Sequence, residues 1–318
     1  MLHHVDPSLL PGLELMQGFE LTAESLPAIR AGMAEMAAAV PEPEGTGTTW
    51  RDDAAPSPEG HAVPLRVYTP ARAAGSSGLL PAVVQIHGGG YVMGSHQLSH
   101  AANMVMAAEV GAVVVSVDYR LAPENPFPAA HEDCLAAYDW LLAHADALDV
   151  DPARIVISGE SAGGLLAAAL AHMIRDTGRP LPAAQILTYP MLDHRTGTDE
   201  MPAVPYTGEF IWTPELNRYA WGALRGSYAF DDHRVGWFSP SHAADLAGLP
   251  PTWLALGALD LFLAEDLDYA RRLVAAGVPV ELHVYPGCIH AFNMVPGARM
   301  AEAYNRDLRS ALGAFLKV

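Results

Sequence analysis

The chain has 318 residues, 51% hydrophobic and 17% charged, enough to bury a large core as one α/β domain carrying an inserted segment. Its 36 acidic and 18 basic side chains leave a net charge of −18, a surface that repels phosphate backbones and anionic lipid and argues against a nucleic-acid partner. The two cysteines, Cys134 and Cys288, make no disulfide framework in a chain this long; both are expected as small buried or half-buried thiols.

The opening Met1-Leu-His-His-Val-Asp-Pro7 lacks the basic start and unbroken apolar core of a secretory signal. No apolar run approaches the ~18 to 20 residues that span a bilayer. No membrane insertion is expected, and the cytoplasm is the simplest compartment. Residues 1–45 read as short amphipathic helices. Leu9-Leu10, Leu13, Leu15-Met16, Phe19 and Leu21 recur at helical intervals, Met33, Met36 and Val40 continue the pattern, and Pro41-Glu-Pro43-Glu-Gly45 ends it. Such a prelude is either a packing layer or part of a lid. Alternation from Thr46 to Tyr68 predicts two antiparallel strands at a sheet edge, and Pro70–Pro81, with Gly75-Ser-Ser-Gly78, a loop.

Six continuous apolar runs follow: Ala82–Ile86, Ala112–Tyr119, Arg154–Ser158, Ala184–Tyr189, Thr252–Leu256 and Val280–Tyr285. Helical stretches over about 96–109, 131–145, 162–176, 264–276 and 301–317 separate or follow them. Strands buried on both faces and alternating with helices predict a mostly parallel sheet flanked by helices, with ligands at the carboxyl ends of its strands. Residues 194–238 break the rhythm. They are rich in aromatics, Trp212, Trp221 and Trp237 among them, and read as an inserted helical segment folding over the site with the N-terminal helices. The other reading is a crossover packed on the sheet edge. The organisation is then a helical cap from 1–45 and 194–238, and an α/β core from 46–193 and 239–318.

The chain is organised around Ile155-Val-Ile-Ser-Gly-Glu-Ser-Ala-Gly-Gly-Leu165. A β-branched strand runs into the turn Gly159-Glu-Ser-Ala-Gly163 and on into Leu165–Ala171, a run of strong helix formers. This is the strand–turn–helix setting of a G-x-S-x-G nucleophile elbow, whose small neighbours let the two arms approach while the serine hydroxyl stands clear. The motif by itself is a weak sign, since Ser161 also suits a helix N-terminus. No Lys follows Gly163-Gly164, which excludes a phosphate loop, and the G-x-G-x-x-G spacing of a dinucleotide fold is missing.

A serine nucleophile needs a base, a carboxylate behind the base and N–H donors for the oxyanion. His87-Gly88-Gly89-Gly90, directly after a strand, fits the donor loop. Gly88 and Gly89 are assigned as donors with Ala162 of the elbow, while His87 and Gly90 shape the loop. Asp260 follows the strand ending at Leu256 and is the candidate acid, although such an Asp also suits a helix N-cap. His290 follows the strand ending at Tyr285 and is the candidate base. The order Ser161, Asp260, His290 is that of the α/β-hydrolase triad. Glu160 beside the nucleophile reads either as a buried carboxylate bonded to loop N–H groups or as any polar filler. Asp118, Tyr119 and Arg120 read as a charge-assisted network locking the loop below the site. His96 and His100 have i, i+4 spacing but no companion ligand, so no metal site is assigned.

Together His87-Gly-Gly-Gly90, Asp118-Tyr-Arg-Leu-Ala-Pro-Glu124, Gly159-Glu-Ser-Ala-Gly-Gly164, Tyr189-Pro190, Asp260 and His290-Ala-Phe292 resemble the hormone-sensitive-lipase-like family of bacterial α/β-hydrolase carboxylesterases. The resemblance implies an eight-stranded sheet, a cap from the N-terminal helices and an insertion after the Tyr-Pro strand, and no cofactor. It also implies a small-molecule ester of short to medium acyl chain as substrate, tolerance of bulky alcohols, and an intracellular enzyme that is often a homodimer. Two departures stand out: Glu160 where Asp is common, and Asp-Leu-Phe-Leu263 in place of Asp-Pro-Leu. Amide, lactone or carbamate cleavage by the same residues is the nearest alternative. A non-catalytic small-molecule receptor on this scaffold is the next, although such receptors typically lose the base that His290 supplies.

Overall fold

The computed structural model describes residues 2–15, 18–72 and 78–318. Met16 of the first apolar run and Gly75–Ser77 of the loop lie outside them. The strands are β1 (Thr49–Pro56), β2 (Ala62–Thr69), β3 (Leu80–Ile86), β4 (Val113–Val117), β5 (Val150–Glu160), β6 (Ala184–Thr188), β7 (Thr252–Gly257) and β8 (Val280–Tyr285). They form one eight-stranded sheet in the order β1-β2-β4-β3-β5-β6-β7-β8. β1 and β2 pair antiparallel with each other, as does β2 with β4; every pairing from β4 to β8 is parallel. The helices are α1 (Leu10–Leu15), α2 (Leu26–Ala39), α3 (His100–Val110), α4 (Ala129–Ala143), α5 (Ala162–Asp176), α6 (Pro214–Arg225), α7 (Val235–Phe238), α8 (Leu263–Ala275) and α9 (Arg299–Leu316).

Burial explains the pattern. β4, β6 and β7 are buried at every position because helices cover both faces. α5 is buried from Ala162 to Ile174. A helix apolar all round belongs inside a core, and this one packs on β5 and β6 beneath α4 and α7. β8 departs from expectation. It ends the sheet, so Glu281, Leu282 and Val284 are exposed although the sequence reads like an interior strand. The N-terminal helices depart too. α2 buries only Leu26, and Met36 and Val40 stand 58% and 49% exposed. Residues 194–238 contain one three-turn helix, α6, and the single turn α7; the rest is loop.

Register brings the strand ends to one rim. Ile86 pairs with Val117 and Gly159, Glu160 with Thr188, Thr188 with Ala255 and Gly257 with Tyr285. His87, Ser161, Tyr189, Asp260 and His290 all lie in the segments that leave this rim. Among the described residues, no helix is long and apolar enough to cross a membrane.

Candidate active site

Ser161 sits between the end of β5 and the first turn of α5 with φ 56° and ψ −119°. A non-glycine residue with positive φ stores strain, which the surroundings here over-determine. Its N–H donates to the Thr188 carbonyl at 2.9 Å, and its own carbonyl accepts from Leu165 and Met191 at 3.1 and 3.2 Å. The flanking glycines are compelled by contact. A Cβ on Gly159 would lie 2.0 Å from the Gly163 oxygen, and one on Gly163 would lie 2.2 Å from the Ile86 oxygen.

His290 Nε2 lies 3.0 Å from Ser161 Oγ, and Nδ1 lies 2.8 Å from Asp260 Oδ2. All three residues are buried. The carboxylate accepts at Nδ1, so the neutral ring carries its proton there and offers a lone pair to the serine. The other oxygen, Asp260 Oδ1, accepts from the Phe262 N–H at 3.0 Å, so Asp-Leu-Phe-Leu263 closes its own turn without proline. Leu261 is buried beneath Gly208. Tyr189 packs 4.6 Å from the His290 ring, Phe262 stands edge-on at 5.4 Å and Trp212 lies at 6.1 Å, ring centre to ring centre.

Gly88 lies against the elbow, 3.5 Å from the serine Cβ if given a Cβ of its own. Gly89 takes φ 120° and a Cβ there would meet the Met93 carbonyl at 2.1 Å; Gly90 takes φ 60° beneath Trp212. Among the described residues, none accepts a backbone hydrogen bond from the Gly88 or Gly89 N–H. The Ala162 N–H is the first of α5 and has no intrahelical acceptor. Ala162 follows Ser161 directly, so this free N–H lies next to the serine in the chain, at the positive end of a fifteen-residue helix. His87 stacks on Tyr119 at 4.2 Å, and burial pushes its pKa down to about 4, so it stays neutral.

Several predicted contacts resolve differently. Asp118, Tyr119 and Arg120 do not form one network. Asp118 meets His96 at 3.2 Å, the Tyr119 hydroxyl donates to the His87 carbonyl at 3.0 Å, and Arg120 reaches Asp133 and Glu59. His100, four residues after His96, contacts Tyr68 and Glu42. Glu160 bonds side chains rather than loop N–H groups. The Tyr189 hydroxyl lies 3.3 Å from Oε2, and Asn293 Nδ2 lies 3.4 Å from Oε1. Part of Glu160 stays accessible, yet its carboxyl is packed closely enough that burial raises its pKa against the pull of Tyr189, Asn293 and His290.

Sequence reasoning missed three groups. Asn293 lies three residues past His290. Glu265 accepts from the Leu192 N–H at 2.6 Å and contacts the Thr196 hydroxyl, tying α8 to the chain after β6. Asp266 is buried with neither oxygen bonded among the described residues, and burial beside Glu265 and Asp260 raises its pKa far above the carboxylate range. Asp193, His194 and His242 form the one cluster of metal-ligand spacing among the described residues. Its carboxylate is already taken by Arg195 at 2.8 Å and His242 at 3.2 Å. A cavity of about 400 Å³ opens between the N-terminal segment (Leu2, Leu10, Leu13, Phe19) and the insertion (Phe210, Ile211, Leu216). Ile211 and Thr213 in its wall flank Trp212.

Residues 83–294 match a family model described as the alpha/beta hydrolase fold. The chain is 39% identical over 235 residues to esterase LipI of Mycobacterium tuberculosis, covering 72% of this chain and 71% of that protein. It is 37% identical over 256 residues to carboxylesterase NlhH of the same species, covering 77% and 76%. A solved structure titled bacterial heroin esterase superposes with a TM-score of 0.89 at 34% identity over 99% of both chains.

Proposed function

This chain belongs to the α/β-hydrolase fold family, in its hormone-sensitive-lipase-like branch, and we propose that it is a serine carboxylesterase acting on esters of short to medium acyl chain. The observation that carries the reading is the unbroken relay from Asp260 through His290 to Ser161, at 2.8 and 3.0 Å. His290 Nε2 takes the Oγ proton as Ser161 attacks the ester carbonyl. Gly88, Gly89 and Ala162 N–H groups receive the oxyanion, and buried Asp260 offsets the charge forming on the imidazole. His290 returns the proton to the departing alcohol. Water, deprotonated in turn by His290, then attacks the acyl-enzyme and releases the acid and the free serine.

The N-terminal segment and residues 194–238 serve as the cap. Supporting this, Trp212 of the insertion reaches the His290 ring and both segments line the apolar cavity. The names of the relatives, esterase and carboxylesterase, support ester hydrolysis as the reaction.

The test is hydrolysis of p-nitrophenyl esters from acetate to decanoate. Turnover is expected at the short and middle lengths, falling by decanoate. Ser161→Ala should keep the fold by circular dichroism and lose at least ~10³-fold in kcat, the scale of nucleophile deletions. A fluorophosphonate should add one label, at Ser161. Retained turnover in Ser161→Ala, or a label elsewhere, overturns the assignment.

A further inference from the structure

Behind the His290 imidazole, three side chains from three separate elements close a ring. Tyr189 Oη lies 2.6 Å from Asn293 Oδ1 and 3.3 Å from Glu160 Oε2, and Asn293 Nδ2 lies 3.4 Å from Glu160 Oε1. Three contacts need three protons. Tyr189 has one to give, and the Asn293 amide points one into the ring. The short contact assigns the tyrosine proton to Asn293, which leaves an oxygen–oxygen pair between Tyr189 and Glu160 with no hydrogen between them. Turning the Asn293 amide over only moves the deficit to the Glu160–Asn293 side. In either arrangement a protonated carboxyl supplies the third proton, whereas an ionised one leaves one side of the ring without a full hydrogen bond.

We propose that Glu160 is a neutral carboxylic acid in the working enzyme and that the closed Glu160–Tyr189–Asn293 ring positions His290 against Ser161. The proposal rests on the esterase reading above. Glu160 is the residue before Ser161, Asn293 belongs to the loop that carries His290, and the Tyr189 ring lies 4.6 Å from the imidazole. The ring therefore fastens the nucleophile's turn to the base's loop through side chains 29, 104 and 133 residues apart. The loop needs fastening, because Ala291 sits at φ 59° beside the base.

The charged and titratable groups that face the Glu160 carboxyl are His290, Tyr189 and Tyr304. Of these, only His290 is a base, and its Nδ1 is already bonded to Asp260. Tyr304 is engaged with the Thr188 hydroxyl at 2.8 Å. Among the described residues, no cation other than the imidazole therefore faces Glu160 to hold it ionised. Burial favours its neutral form, in the same direction as the proton count. A neutral Glu160 also keeps a second negative charge away from the oxyanion.

The experiment compares Glu160→Gln, Glu160→Ala and Asn293→Ala on p-nitrophenyl butyrate, with the wild-type infrared spectrum at pH 7 differenced against Glu160→Gln. Glutamine matches the neutral acid: its amide can donate to Tyr189 and accept from Asn293. Glu160→Gln should therefore keep kcat within about threefold, while Glu160→Ala and Asn293→Ala lose roughly ten- to a hundredfold with KM little changed, the cost of a misplaced base. The difference spectrum should show a protonated-carboxyl C=O stretch lost on substitution. A carboxylate stretch in its place, Glu160→Gln falling as far as Glu160→Ala, or all three variants matching wild type would each overturn the proposal. The infrared reading needs no turnover, so it stands whether or not the esterase assignment survives, and it needs neither alanine variant to fold.

Discussion

Two segments share the lining of one cavity, residues 194–238 and the N-terminal stretch, and different forces hold them. The insertion is seated by rings. Phe238 packs against Phe127, Trp221, Tyr228 and Phe230 at centroid distances of 5.1 to 5.4 Å, and the Phe127 N–H donates to the Leu224 carbonyl at 2.7 Å. The N-terminal helix α2 buries one leucine and is fastened by Arg30, whose guanidinium donates to the carbonyls of Val92 and Ala122 at 2.6 and 2.8 Å. The lesson is that an apolar stripe at helical spacing does not announce burial. Aromatic density does better, because each buried ring removes far more surface from water than a methionine on a helix flank.

The largest effect should come from the seat of the insertion. Phe238→Ala empties a nearly inaccessible site and is expected to cost ~3–5 kcal/mol, read as a fall in the chemical-denaturation midpoint. A cost under about 1 kcal/mol would break the comparison, since the insertion would then be held as loosely as α2.

Acid sharpens the same contrast. His131 of α4 stands edge-on to Phe127 at 4.9 Å, and burial pushes its pKa down to about 3. The unfolded chain, with His near 6.5, binds a proton in the interval where the folded chain does not. Stability therefore rises with pH across that interval, and the protein loses about 1.4 kcal/mol per pH unit from this group as pH falls from 6.5 toward 3. His172, also pushed down to about 3, adds to the slope. His131→Leu should lower the slope of unfolding free energy against pH by one proton in that window. An unchanged slope would mean that His131 is not buried neutral beneath the insertion.

The legibility of the sequence followed the same divide. Strands buried on both faces, such as Val113–Val117 and Thr252–Gly257, could be read from their unbroken apolar runs. β8 could not, because its exposure depends on being last in the sheet order, which no local pattern encodes. The residues brought to the rim were traceable because each follows its own strand. Asn293 was hidden, since a lone amide acquires meaning only when Tyr189 and Glu160 arrive from elsewhere in the chain. Asp266 was hidden for the opposite reason: on a helix with Glu265 and Asp268 it reads as a solvated face, and only the fold buries it.

The smallest effects belong to α2, where they decide what holds that helix. Met36→Lys places a charge where 58% of the side chain already meets water, so stability should move by no more than about 0.5 kcal/mol. Arg30→Met keeps the length of the side chain and removes its bonds to two carbonyls, a loss of about 1–2 kcal/mol. The ion pair with Glu124 adds little, because that carboxylate is 57% exposed and screened. If Arg30→Met proves neutral while Met36→Lys destabilises, α2 is seated by its apolar stripe after all. If the order holds, the helix is pinned at one charged point, and the rest of its exposed face is free to vary.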